Sequence, residues 1–449
     1  MQIDQEEKYT KEKETEKSQF DPSKWIRSQY QNLQMSSTLA INQRSAELES
    51  QGRKVYRFGF GQSPFPVPER IVKKLQKNAF QNKYTSVEGI KELRQTIAKF
   101  ESMQKTQDPT FYSENNVIIA PGSKLNMVDL MMILKCTTLI TTPAWVSYAK
   151  QAQILDLPIE YIHTSFEDDY KIKPQILQEK LSKINGTVLL ILNAPNNPTG
   201  QSYSKQELEE LSVVLKKHPV IVLADEIYSF LSFDNDYHSI AEFCPERTII
   251  SSGISKGFGA GGWRLGYLVF PEQLSFLIKP IQSLASEVFS STSSPIQYSA
   301  VSIFSSLHKL SEYLDKSIII LRSIANFGYK TFTKAKIRTV FPNGGFYFYI
   351  DFENFRTSLE SNNIKGSQSL CEHILQDANV ALLAAKNFNR DINELAARLA
   401  FVDFDGKLAL DNFSYDHVQK NGFLTDSFLR EFCGKTIEGF EKLANWVPK

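Results

Sequence analysis

Six short, mainly apolar runs recur between residues 116 and 270: "NVIIA" (116–120), "TLITT" (138–142), "TVLLILN" (187–193), "VIVLADE" (220–226), "TIISS" (248–252) and "GYLVF" (266–270). Each has strand length and lacks the polar/apolar alternation of a strand with one wet face, so both faces must be covered. Helical sequence fills several of the gaps. In "SKQELEELSVVLKK" (204–217), Ser204 and Glu207 have capping-box spacing, and Leu208, Leu211, Val214 and Leu215 fall on one helical face. Buried strands alternating with amphipathic helices predict an α/β fold with a mostly parallel sheet between helices. After about residue 300 the pattern changes. Helical sequence from Ala300 to Lys336 leads into "GGFYFYIDF" (344–352), another helix, and "ELAARLAFVDFD" (394–405), which predicts a second, smaller α+β domain. The expected organisation is a charged tail over 1–20, an N-terminal arm over 21–60, a large domain over 61–325 and a small one over 326–449.

Charge and cysteine use remove several function classes. Lys and Arg total 51 against 50 Asp and Glu, a balance that disfavours nucleic acid as partner. Cys136, Cys244, Cys371 and Cys433 form no CxxC pair, and the six histidines form no ligand pair at helical spacing, so neither a disulfide framework nor a metal site is expected. The first twenty residues contain no apolar stretch of signal-peptide type, and no apolar run reaches membrane-span length. A cytoplasmic protein without a membrane partner is the expectation.

Chemistry-bearing residues sit just past the predicted strands. "APGSKLNM" (120–127) places a Gly-Ser-Lys turn between a strand and a helix, and a helix start suits an anion. "NAPNNPTG" (193–200) is a turn by composition, yet it leaves the strand edge where open α/β sheets bind ligands. Asp225 closes the strand in "VIVLADEIY"; it reads either as a helix cap or as a carboxylate aimed at a cation, with Tyr228 close by. In "SSGISKGFGAGGWRLGY" (251–267), Lys256 reads either as a solvated loop lysine or as an amine nucleophile. Arg264 follows as a permanent planar cation suited to phosphate. An acid, a phenol, an amide, an amine, an arginine and an anion-binding helix start are together what pyridoxal 5'-phosphate requires.

On these motifs the sequence resembles the class I/II aminotransferases among the fold-type I pyridoxal-phosphate enzymes, from about residue 56 to about 405. The resemblance implies a seven-stranded sheet in the large domain and a Schiff base on Lys256. It places Asp225 at the pyridine nitrogen, Asn197 and Tyr228 at the ring oxygen, and Trp145, from "PAWVSY" (143–148), against the ring. Gly122, Ser123, Lys124, Ser255 and Arg264 are implied at the phosphate. Arg398, in "ARLAF" (397–401), is implied at the substrate carboxylate, with Gly61 and Asn197 near the substrate. Tyr84, in "KYTSVEGIKELRQTIA" (83–98), resembles the tyrosine that reaches the partner's phosphate in a homodimer.

The implied reaction transfers an amino group between an L-amino acid and a 2-oxo acid by a ping-pong route through a Lys256 aldimine. Lys256 then moves the proton from the substrate's Cα. Cleavage of a C–S bond by β-elimination, or decarboxylation, are alternatives with the same cofactor residues, and a non-catalytic regulator on the same fold is a third. Three places depart from the family's pattern. Gly253 stands where many relatives carry a phosphate-binding serine. Ala385-Lys386 and Phe388-Asn389 replace Pro-Gly and Phe-Gly in the loop before Arg398. Val288 and Phe289 stand where aspartate-specific relatives carry an arginine, which leans against a dicarboxylate specialist.

Overall fold

The computed structural model describes residues 21–31, 33, 35–106, 108–233 and 236–447. The tail expected over 1–20 lies outside them. The strands of the first half are β1 (Tyr56–Arg57), β2 (Val117–Ala120), β3 (Thr137–Thr142), β4 (Ile159–His163), β5 (Val188–Asn193), β6 (Val220–Asp225), β7 (Thr248–Gly253) and β8 (Gly266–Val269). Those of the second half are β9 (Tyr347–Asp351), β10 (Val380–Ala381), β11 (Leu383–Ala384) and β12 (Ala396–Ala400).

Seven strands form one sheet in the order β2-β8-β7-β6-β5-β3-β4. All neighbours run parallel except around β8, which is antiparallel to β2 and β7. The fold is therefore α/β, with the mostly parallel sheet that the six apolar runs predict. Strands β5, β6, β7 and β8 are buried along their whole length, and distinct apolar clusters pack around Leu190 and Val222 on one hand and Leu189 and Leu223 on the other. The seventh strand, β4, carries no continuous apolar run because it is an edge strand with three partly exposed residues. The predicted capping box is present: the helix Lys205–Leu215 starts with reciprocal bonds between Ser204 and Glu207.

Beyond residue 290 the helical stretch is two helices, Ser294–Phe304 and Ser311–Lys334. They are followed by a three-stranded antiparallel sheet of order β11-β12-β9. Its core is rich in phenylalanine, with Phe332, Phe346, Phe348, Phe352, Phe401 and Phe440 all fully buried. The aromatic run in "GGFYFYIDF" is thus mostly packing, with Tyr347 as its exception.

Because β2 and β3 to β7 all point the same way, their C-terminal ends share one edge with the start of β8. In open α/β folds that edge is where ligands bind, and the sequence motifs lie on it.

Candidate active site

A cavity of about 610 Å³ opens at this edge. Of the residues implicated by sequence, it is lined by Gly61, Ser123, Lys124, Trp145, Asn197, Asp225, Tyr228, Ser255, Lys256, Arg264 and Arg398. Gly122 lies directly beneath, as the residue before the helix Ser123–Ile133, with a φ of 92°. A side chain there would run into the Arg264 guanidinium, so glycine is required both for its left-handed backbone and for space. Tyr84 is apart from the others. It is 89% exposed and does not line the cavity.

Asp225 ends β6, flanked in register by Asn193 on β5 and Ser251 on β7. It caps no helix. Its carboxylate accepts from the Tyr148 hydroxyl and from the Ile227 N–H at 3.3 Å. Burial pushes its pKa up to about 6; the two hydrogen bonds and Lys256 oppose that rise, while Glu226 adds to it. Lys256 is not a solvated loop lysine. Its Nζ donates to the Gly61 carbonyl at 2.8 Å, and burial, with Arg398 and Arg264, pushes its pKa down to about 8. A depressed lysine supplies neutral amine near physiological pH, as nucleophilic catalysis needs.

Arg398, on β12, is 1% exposed. It donates to the Asn197 Oδ1 at 3.1 Å and the Gly59 carbonyl at 2.6 Å, and its guanidinium lies 4.7 Å from the Tyr347 ring and 5.2 Å from that of Phe388. Its Nε has no partner, and no acid pairs with it among the described residues. Lys124 sits 4.8 Å over the Trp145 ring, its pKa lowered by burial and by Arg264. Four cations thus face one carboxylate, Asp225. Such an excess of positive charge on the cavity wall, with Arg398 buried, suits a ligand with two anionic groups.

Sequence reasoning missed Tyr148 and Tyr347. The first is within "PAWVSY", where only the tryptophan drew attention; the second sits in a strand that otherwise reads as core. Tyr347 shares a hydrogen bond of 2.8 Å with the Tyr228 hydroxyl, and its own hydroxyl occupies the space a Gly61 side chain would need. The departures also find physical accounts. At Gly253 a Cβ would stand 2.7 Å from the carbonyl oxygen of Leu265, the residue before β8, so this backbone admits no serine without shifting. In the altered loop, Phe388 supports Arg398, and its carbonyl accepts from the Ala144 N–H at 3.1 Å. Arg390 anchors the same loop by donating to the Thr164 carbonyl at 2.7 Å and pairing with Glu394. Asn389 takes the left-handed backbone at φ 60°. Neither Val288 nor Phe289 lines the cavity.

The residues around the cavity match pyridoxal 5'-phosphate in donor chemistry: an amine, an anion site at a helix start, and a buried carboxylate between them. Comparisons with known proteins agree. Residues 53–400 match the family described as aminotransferase class I and II. An aspartate aminotransferase of Bacillus subtilis (strain 168) is 30% identical over 372 residues, spanning 80% of this chain and 91% of that protein. One of Pinus pinaster is 29% identical over 374 residues, spanning 80% of this chain and 74% of that one. Among solved structures, an aspartate aminotransferase from Thermus thermophilus with maleate aligns with a TM-score of 0.78 at 22% identity, covering 94% of this chain and 99% of that one.

Proposed function

This chain belongs to the class I and II aminotransferases, pyridoxal-phosphate-dependent transferases, and from that premise we propose which residues do the work and on what substrate. The cofactor supplies an electron sink that acidifies the substrate's Cα–H. Lys256 would hold the cofactor, and its neutral amine would serve as the base that takes the Cα proton. Its lowered pKa, about 8, supports that role. Asp225 would pair with the pyridine nitrogen, while Tyr228 and Asn197 would donate to the ring oxygen. Trp145 packs on the ring. The Gly122–Ser123 helix start, Ser255 and Arg264 hold the phosphate. Gly61 leaves room for the substrate beside Tyr347.

The observation that carries the reading is Arg398, a buried guanidinium whose hydrogen-bond partners are neutral and which pairs with no acid among the described residues. A substrate α-carboxylate completes it with a charge-assisted pair. Lys124 is a further unpaired cation on the same cavity. Together with the aspartate aminotransferase names of the relatives, it supports an acidic amino acid as donor, against the lean drawn from Val288 and Phe289.

The test is a panel of amino donors against 2-oxoglutarate and pyruvate. Parallel double-reciprocal lines, with aspartate among the best donors and no turnover by Lys256→Ala, are expected. Ammonia release without a 2-oxo acceptor would instead indicate the β-elimination alternative. Lys124→Met should lower kcat/KM for aspartate more than for a neutral donor. An equal loss for both would return Lys124 to the phosphate alone.

The assembly belongs to the same proposal. Ser294 and Gln297 hold the loop below Tyr84 through Lys83, Thr85 and Ile90, yet Tyr84 itself and Phe80 project into solvent. A fixed loop presenting exposed aromatic rings supports a homodimer in which Tyr84 reaches the partner's phosphate site. Sedimentation of the purified protein reads this directly. No helix among the described residues is long and apolar enough to cross a membrane, and we place the enzyme in the cytoplasm. A division into an arm over 21–60, a large unit to residue 325 and a small one from 326 belongs to the same proposal; the phenylalanine-rich cluster around β9 and β12 supports a small unit, although Ile320 to Ala325 already pack into it.

A further inference from the structure

Glu226, the residue after Asp225, does not line the cavity. Its side chain runs into a closed cluster of polar groups. One carboxylate oxygen accepts from Lys105 Nζ at 2.6 Å, the other from the Ser239 hydroxyl. Lys105 ends the helix Lys91–Lys105, and Glu101 lies one turn earlier on the same face. Glu101 accepts from the Tyr267 hydroxyl at 2.6 Å, while its second oxygen is buried without a partner. Lys105 Nζ also lies 5.2 Å over the ring of Tyr237, whose hydroxyl donates to the Ala194 carbonyl in the asparagine-rich turn. Lys105, Glu226 and Glu101 are 8%, 3% and 3% exposed.

An ion pair this far from water adds little net stability over apolar packing, so its placement calls for another account. The Glu226 N–H donates to the Ser251 carbonyl on β7 at 2.8 Å. The pair therefore grips the turn 225–228 at its first step, next to the only carboxylate on the cavity wall among the described residues. We propose that Lys105 is a positioning residue for the reaction: by pairing with Glu226 it cancels the charge directly behind Asp225 and fixes the turn from which Asp225 and Tyr228 enter the cavity.

The groups facing Glu226 are Lys105 and Glu101 from the helix, Tyr112 from the segment after it, Tyr237 and Glu242 from the 237–242 segment, Tyr267 from β8, and Asp225 beside it. Burial pushes Glu101 up to about 7, against the pull of Lys105. With Glu101 protonated, Lys105 and Glu226 balance. While Glu101 stays protonated, removing either one strands the other's charge beside Asp225.

This inference rests on Asp225 meeting the pyridine nitrogen. The experiment compares cofactor-loaded Lys105→Met, Glu226→Gln, the double variant and Lys105→Arg with wild type. It reads the pH midpoint of the cofactor's visible absorbance, the cofactor's dissociation constant and the melting temperature. Losing the cation should favour proton binding nearby and raise the midpoint by roughly half a unit to one unit. Glu226→Gln should lower it by a similar amount, and the double variant and Lys105→Arg should lie near wild type. Lys105→Met should also weaken cofactor binding several-fold, with the double variant restoring it. Melting temperatures that fall while every midpoint stays put would show a purely structural pair and overturn the proposal. If Lys105→Met does not fold, Glu226→Gln decides alone: an unchanged midpoint refutes. The Asp225 assignment fails separately, if Asp225→Asn loads and titrates like wild type.

Discussion

Arg398 and Lys105 are both buried cations, and their surroundings are opposite. Lys105 meets a carboxylate at 2.6 Å with a second acid one turn away, and those acids outweigh burial and raise its pKa. Arg398 meets an amide oxygen, a carbonyl and two aromatic faces, and burial lowers its pKa. A buried charge needs compensation. Lys105 receives it from within the chain, whereas Arg398 leaves it to whatever enters the cavity. The contrast separates a cation compensated from within the chain from one left open to a ligand, the role proposed for Arg398 being the substrate carboxylate.

That contrast sets where each loss should appear. Arg398→Leu should lower kcat/KM for amino donors by roughly 10³-fold or more, the cost of truncating one partner of a buried charge pair. Its apoprotein should melt no lower than wild type, since no acid is stranded. Steady-state kinetics and calorimetry on one preparation read both. Lys105→Met should show a large loss already in the apoprotein. It strands Glu226 and should destabilise the apoprotein by about 3–4 kcal/mol, seen in urea unfolding, and Lys105→Met/Glu226→Gln should recover most of that loss. Equal stability losses in Arg398→Leu and Lys105→Met would break the comparison.

The two cations were not equally legible in the sequence. Arg398 is marked by its place in "ARLAF", and Asp225, Asn197, Lys256 and Arg264 by short motifs at the ends of apolar runs. These signals are local, and the parallel sheet brings them to one edge. Lys105 lies 121 residues from Glu226 in an amphipathic helix where lysine ordinarily faces water. No local pattern reports that pairing. Strand β4 escaped for a related reason: an edge strand is half wet and lacks the continuous apolar run. Tyr148 reads as core until the structure sets its hydroxyl on Asp225.

Asp225 supplies the next test, because among the described residues it is the one anion set among the cavity's cations. Its folded pKa of about 6 lies above the unfolded value of 3.8, owing first to burial. The folded state therefore binds the proton more tightly, and the stabilisation this gives is complete below pH 3.8 and lost as pH rises through 6. Asp225→Asn should accordingly make the apoprotein more stable by about 2–3 kcal/mol at pH 7.5, with the difference vanishing below about pH 4. Urea melts at the two pH values check this; a gain that persists at low pH would mean that burial of charge is not its source.

The smallest effect concerns the neutral groups that surround Arg398. Tyr347→Phe removes the hydroxyl that bonds Tyr228 at 2.8 Å, leaving a buried phenol short of a partner at a cost of about 1 kcal/mol in the apoprotein. If Tyr228 turns its hydroxyl to the ring oxygen of the cofactor, that cost should shrink on loading, because the phenol regains a partner. The phenylalanine ring still stacks on the guanidinium, so KM for the amino donor should change by only a few-fold. Thermal melts of apo and loaded Tyr347→Phe read the difference. A loss that is the same in both forms would mean that Tyr228 keeps its bond to Tyr347 during catalysis and does not serve the cofactor.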